Sequence, residues 1–175
     1  NAENISKFLK KTDSCNEIKV FCNVKKAGVF EKMKNLRIPC ILIEKSNNTY
    51  LINECQKFQP NLIILAGYLK KIPVEIIDTF KRKIINIHPS LLPKYGGKGM
   101  YGDNVHNQVL LKNEKESGIT IHYVNEKYDR GEIIFQKKIK LDKDETLNTI
   151  KEKIKNLEMK HLPIVIYQLL YGRKY

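Results

Sequence analysis

Residues 61–90 read NLIILAGYLKKIPVEIIDTFKRKIINIHPS, two apolar runs separated by an amphipathic one. Asn61 to Ala66 is too uniformly apolar for a half-exposed strand, so it is expected to lie centrally in a sheet with both faces covered, and Gly67 ends it. Pro73 suits the first position of a helix over Val74 to Phe80, where a missing N–H gives up no useful donor. Ile84 to Ile87 is a second buried strand. Strand and helix alternating in this way argue for parallel strands joined by covering helices.

The alternation extends in both directions. Residues 2–11 predict a helix with Ile5, Phe8 and Leu9 on one face, Glu17 to Val24 a strand, and Ala27 to Leu36 a helix ended before Pro39. Cys40 to Ile43 follows as a strand and Thr49 to Phe58 as a helix stopped by Pro60. After the quoted stretch, His88 to Asp103 carries two prolines, four glycines and no period, the mark of a functional loop. Asn104 to Lys112 reads as a short helix, and Ile119 to Val124 and Glu132 to Leu141 as paired strands around Asp129-Arg130-Gly131. Thr146 to Leu170 is a long helical stretch that Pro163 is expected to kink or break. The fold class is therefore α/β: an open, mostly parallel twisted sheet of Rossmann-like type with helices on both faces, and antiparallel strands toward the C-terminal part. A single domain is expected over residues 1–175, with no internal repeat or linker. Sheets of this type open with a strand and a glycine-bearing turn. This sequence opens at Asn1, directly on a helix, so that first strand and turn are expected to precede it.

A chain of 175 residues with 42% hydrophobic and 29% charged residues is long enough to bury a core and is neither collagen-like nor mostly disordered. Its apolar runs fall far short of the roughly 18 residues of a membrane span, which predicts a soluble, cytoplasmic protein with no membrane partner. Cys15, Cys22, Cys40 and Cys55 lack the two-residue gap of a zinc or redox pair, so reduced, buried thiols are expected. The net charge of +13 comes from 28 Lys and only 4 Arg, accompanied by 16 Asn and 23 Ile, the composition of an A/T-biased coding sequence. Arginine is the residue that base and bidentate phosphate readout favours, and the lysines are spread over every segment, so no dedicated nucleic-acid role is assigned. A diffuse positive field still attracts small anionic substrates.

The residues that suggest chemistry end the second strand of the quoted stretch. Asn86 and His88 are two apart and so project to one face, at the carboxyl end where open α/β sheets bind their ligands. An amide donor beside an imidazole suits acyl transfer, in which a tetrahedral intermediate carries an oxyanion and a proton must move. The same pair also suits plain satisfaction of loop backbone.

The run Asn86-Ile87-His88-Pro89-Ser90-Leu91-Leu92-Pro93-Lys94-Tyr95 resembles the signature of the folate-dependent formyltransferases, above all those acting on glycinamide ribonucleotide (GAR). The resemblance continues through Leu65 to Leu69, Gly96 to Gly102, Ser117 to Val124 and Tyr128 to Ile134, and covers nearly the whole chain. It implies transfer of the formyl group of 10-formyltetrahydrofolate, a co-substrate, to the GAR amine in purine biosynthesis, without a metal. Asn86 and His88 match the family's catalytic Asn and His, which would hold the formyl oxygen and stabilise the oxyanion. Asp129 matches its catalytic Asp, which would orient or charge His88 and help move the amine proton through water. A carboxylate in that place is expected to raise the imidazole pKa. Tyr68, Leu69, Lys70, Lys71 and Ile72 match the folate-binding edge, whose backbone recognises the pterin, although Lys70-Lys71 stands where an Arg is often found. Val124, Asn125 and Tyr128 match the second folate-side loop. On the GAR side, Glu158 matches a glutamate that contacts GAR, Pro89 follows His88 within the signature, and Asn1 lies where the family's phosphate loop ends. The implied partners are these small molecules, with the chain a monomer or homodimer. Open alternatives are a sister enzyme that hydrolyses formyltetrahydrofolate or formylates another amine, a nucleic-acid-binding module, and a remnant with the fold but no activity.

Overall fold

The computed structural model describes residues 1–12, 17–43 and 48–172, so Cys15 lies outside the described residues. The chain forms two compact units, Asn1–Asn61 with Pro163–Tyr175, and Leu62–Leu162.

The first unit holds α1 (Ala2–Lys11), β1 (Val20–Cys22), α2 (Val29–Asn35), β2 (Cys40–Leu42) and α3 (Asn48–Phe58). Ile5 and Leu9 are buried on α1, as their four-residue spacing requires, while Phe8 sets its ring edge-on to Tyr167 at 6.4 Å. Ser6 is also buried and turns its hydroxyl to the Met33 sulfur at 3.8 Å, so a polar side chain enters this apolar face without losing every partner. β1 and β2 pair in parallel with Val20 opposite Cys40. Both strands are three residues long, shorter than expected, because a ladder lasts only while both partners stay extended. Cys22, Cys40 and Cys55 are free thiols, but only Cys55 is buried. Cys22 and Cys40 are half-buried, since this short ladder shields its side chains only in part.

The second unit holds β3 (Ile63–Leu65), α4 (Val74–Thr79), β4 (Ile84–His88), α5 (Asp103–Leu111), β5 (Glu116–Tyr123) and β6 (Ile133–Lys140). Its four strands run in the order β3-β4-β5-β6, the first pair parallel and the later two antiparallel. The α/β class, with parallel strands early and antiparallel strands late, is the expected one. β3 differs in place: it stands at the edge of this four-stranded sheet, half-buried, rather than at the centre. An apolar run reports what its side chains avoid, not how many strands flank it. The buried centre belongs to β4 and β5, where Ile84, Ile85, Ile119 and Ile121 are at most 1% exposed. Pro73 sits one position earlier than expected, as the N-cap of α4 with ψ 139°, which leaves the helical φ and ψ to begin at Val74.

The last helix, α6 (Leu147–Tyr171), runs unbroken through Pro163. Proline inside a helix removes one backbone donor and costs roughly 3 kcal/mol. The burial of Ile150, Ile154, Leu162 and Ile166, each at most 2% exposed, offsets that loss.

Between β5 and β6 the chain turns through Asp129, whose φ of +53° is left-handed, and then Gly131. A Cβ on Gly131 would overlap the Tyr123 carbonyl oxygen and lie 2.7 Å from its carbon. The Gly131→Ala variant is expected to lose about 2 kcal/mol or more, a fall in Tm of about 5 °C or more by thermal unfolding. An unchanged Tm would mean that the hairpin relaxes at no cost.

Candidate active site

The pleat of β4 turns Asn86 and His88 to one face, Asn86 half-buried and His88 3% exposed. β5 then supplies a third polar side chain. Its antiparallel register puts His122 opposite Asn86, and the Asn86 amide nitrogen lies 3.3 Å from His122 Nε2. A backbone carbonyl can only accept, so the 2.8 Å contact of His122 Nδ1 with the Tyr123 oxygen puts a proton on Nδ1. In the neutral ring Nε2 is then the lone pair that accepts from the Asn86 amide. The same reasoning applies to His88: Nε2 donates to the Tyr95 carbonyl at 2.7 Å, leaving Nδ1 toward the site.

Asp129 closes the cluster. One carboxylate oxygen lies 3.6 Å from His88 Nδ1 and the other 3.6 Å from His122 Nε2, with the side chain 11% exposed. The oxygen facing His88 also accepts the Gly97 N–H at 2.8 Å. Burial acts to raise the Asp129 carboxyl, but the His122 ring, the Gly97 N–H and the nearby His88 imidazole outweigh it and hold it below the usual carboxylate range. At His88 the balance goes the other way. Burial pushes its imidazole below the ordinary range despite the Asp129 carboxylate and the Tyr95 carbonyl, which act to raise it, and the His122 ring adds to the lowering. The expected rise at His88 is thus corrected: a carboxylate at 3.6 Å attracts the imidazolium less than a dry site repels it.

The loop after His88 is tied to the sheet rather than free. Thr120, fully buried, donates its hydroxyl to the Ser90 carbonyl at 2.7 Å and accepts the Leu92 N–H at 3.0 Å. Gln136 on β6 donates to the Leu92 carbonyl and to the Thr120 hydroxyl, both at 2.9 Å. A long glycine- and proline-bearing loop so pinned arrives at the site already ordered, and that lowers the entropy cost of using it.

Of the expected site residues, the structure brings Asn86, His88 and Asp129 together. Tyr68 to Ile72 leave β3 at the sheet end where the parallel β4 delivers His88, with Leu69 exposed and Ile72 buried. Val124 and Asn125 leave β5 beside the start of β4, Val124 donating its N–H to the Ile84 carbonyl at 2.8 Å. Asn125, with Glu126, Lys127 and Arg130, lines an open pocket of about 530 Å³, and Tyr128 is exposed. Pro89 is half-buried next to His88, and Glu158 is half-buried on α6. Asn1 is the N-cap residue of α1 in the other unit. His122 was not anticipated. Its signal was present in Thr120 and His122, two apart between Ile119, Ile121 and Tyr123 and so on one face.

Residues 1–166 match the family model described as formyl transferase. The chain belongs to the formyl transferase family. The phosphoribosylglycinamide formyltransferase of Vigna unguiculata, described as chloroplastic, is 40% identical over 143 residues, 78% of this chain and 46% of that protein. The phosphoribosylglycinamide formyltransferase of Bacillus subtilis is 38% identical over 156 residues, 85% of this chain and 77% of that protein. The chain thus spans about half the length of the plant relative and most of the bacterial one. A crystal structure of phosphoribosylglycinamide formyltransferase from Bacillus halodurans superposes with a TM-score of 0.86 at 28% identity, covering 97% of this chain and 89% of that one. The mixed sheet described above is therefore the formyl transferase fold, and among the described residues no helix is long and apolar enough to cross a membrane.

His88 and His106 are both buried, and burial holds both below the ordinary histidine range. Unfolding exposes rings that titrate near about 6.5, so the unfolded chain binds protons that the folded chain refuses. Stability present above that pH is lost as the pH falls toward the folded-state values, by at most about 1.4 kcal/mol per pH unit for each ring. Asp129, lowered rather than raised, is ionised in both states across this window and adds no slope. Urea unfolding at about pH 7.5 and pH 5.5 is expected to show the lower midpoint at acid pH. Equal midpoints would mean that burial does not hold these two rings below their unfolded-state range.

Proposed function

We propose that this chain transfers the formyl group of 10-formyltetrahydrofolate to the amine of glycinamide ribonucleotide. The observation that carries the reading is the Asp129 carboxylate standing 3.6 Å from each of two buried imidazoles, beside the Asn86 amide. Acyl transfer needs a donor for the carbonyl oxygen and a route for one proton, and this group of side chains supplies both. The Asn86 amide holds the formyl oxygen. The amine nitrogen attacks the formyl carbon, a C–N bond forms, and the carbonyl electron pair moves to oxygen, where the Asn86 N–H stabilises it. The amine proton passes to His88 Nδ1, through water or with Asp129 as a relay, and His88 becomes an imidazolium beside a carboxylate that is left ionised. Return of the proton to the folate nitrogen lets the intermediate collapse with loss of tetrahydrofolate. A neutral resting His88 thus serves first as proton acceptor and stabilises the oxyanion only once charged, which refines the role that the family resemblance assigned to it.

Tyr68, Leu69, Lys70, Lys71 and Ile72 form the pterin edge on this reading, with Val124, Asn125 and Tyr128 on the second folate side. Pro89, Glu158 and Asn1 belong to the GAR side. No metal takes part in the proposed chemistry. The partners we assign are the two small molecules, for a monomer or homodimer working in the cytoplasm, a reducing setting in keeping with free thiols at Cys22, Cys40 and Cys55.

The test is turnover of GAR with 10-formyltetrahydrofolate. The His88→Ala and Asp129→Asn variants are each expected to lower kcat by about 10²- to 10⁴-fold with little change in Tm. Wild-type turnover in either would sink the site assignment, and formate release without GAR would turn the reading to hydrolysis.

A further inference from the structure

Tyr95 is the residue whose carbonyl accepts the His88 Nε2 proton, and it does so from an unfavourable backbone. Its φ is +57°, the left-handed region that a bulky residue rarely occupies unless its surroundings hold it there. What holds it lies in the turn after α5. The Tyr95 hydroxyl donates to Glu114 Oε1 at 2.8 Å, and Lys94 Nζ reaches the same oxygen at 2.9 Å. Glu114 is itself anchored, its N–H bonded to the Val109 carbonyl at 3.2 Å. Burial and the Glu114 carboxylate push the Tyr95 phenol up to about 12, so it remains a donor throughout the neutral range.

The residues after Tyr95 leave it little freedom. A Cβ on Gly96 would run into the Leu92 side chain and lie 3.1 Å from the Asp129 Cβ, and Gly97 donates to Asp129. One short stretch therefore touches both members of the His88–Asp129 pair: Tyr95 through its carbonyl and Gly97 through its N–H. If the Tyr95 carbonyl turned away, His88 would lose the acceptor that keeps its proton on Nε2. A half-turn of the ring or a shift of tautomer would then present the wrong nitrogen to Asp129.

We propose that Tyr95, latched by Glu114, is a positioning residue that selects the Nε2-protonated form of His88 and keeps Nδ1 free to take a proton beside Asp129. The catalytic consequence rests on the formyl-transfer reading above, whereas the selection of the ring form does not. Nitrogen NMR of the histidine side chains at about pH 8, with the His88 signal assigned by its loss in His88→Gln, reads that form directly. In the wild-type chain His88 is expected to show one form, protonated at Nε2. In Tyr95→Phe and in Glu114→Ala the signal is expected to move toward a mixture of the two tautomers. Turnover of GAR is expected to fall about tenfold in kcat with KM changed less than about twofold, as for a misplaced but intact catalytic group. Glu114→Gln keeps an acceptor for the phenol and is expected to restore most of both readouts. A wild-type His88 protonated at Nδ1 would overturn the proposal whatever the variants do. So would an unchanged ring signature in both Tyr95→Phe and Glu114→Ala, or an altered signature with unchanged kcat. Should the wild-type chain fail to formylate GAR while the variants still shift the His88 signal, the functional reading falls and the latch stands.

Discussion

Antiparallel pairing of β4 with β5 sets His122 across from Asn86 and Thr120 across from His88, and a slip of one residue would turn each of these side chains to the opposite face. The register is held by the apolar residues between them. Ile85, Ile87, Ile119 and Ile121 are buried, so a one-residue slip would put isoleucines where the site's polar side chains meet and turn those polar groups onto the apolar face. The polar pairs follow from that choice. Thr120 ties the loop after His88 to the sheet, the loop delivers the Tyr95 carbonyl and the Gly97 N–H, and those two fix His88 and Asp129.

Electrostatics at the cluster is a contest between desolvation and charge, and it is decided differently for its members. Asp129 keeps its charge because it has a backbone N–H at hydrogen-bond distance and two rings nearby. His88 remains neutral because burial outweighs both the Asp129 carboxylate, 3.6 Å away, and the Tyr95 carbonyl that accepts its proton. A neutral acceptor next to a committed carboxylate is a useful resting state for moving one proton, since the imidazolium that forms has its counterion already in place. The positive surplus of the whole chain acts at longer range. Its surface ion pairs, such as Lys138 with Glu116 and Lys94 with Glu114, contribute little stability individually, while the net field favours approach of anionic substrates.

The stability of the fold has two identifiable sources of tolerance. α6 carries Pro163 because the neighbouring apolar side chains are fully enclosed, so the loss of one helical hydrogen bond is outweighed by burial on both sides of it. The β5–β6 turn carries a left-handed Asp129 because that conformation is what brings its carboxylate to the rings. In the first case packing absorbs a local misfit; in the second a local misfit is retained where the site uses it.

Local periodicity by itself determined the α/β alternation, the buried isoleucine strands, and the fact that Asn86 and His88 share a face, because these depend only on how a strand or helix repeats along its own axis. The motif around those residues was also enough to carry the family resemblance. Tertiary structure alone decided that β3 lies at the edge of its four-stranded sheet, that Pro163 leaves α6 unbroken, and that His122 joins the site from 36 residues beyond Asn86. It also decided the sign of the His88 shift. A sequence places a carboxylate and an imidazole in one motif, but their separation and the water around them are set by which strands pair and which loops close over them, and desolvation is a property of that enclosure rather than of either residue.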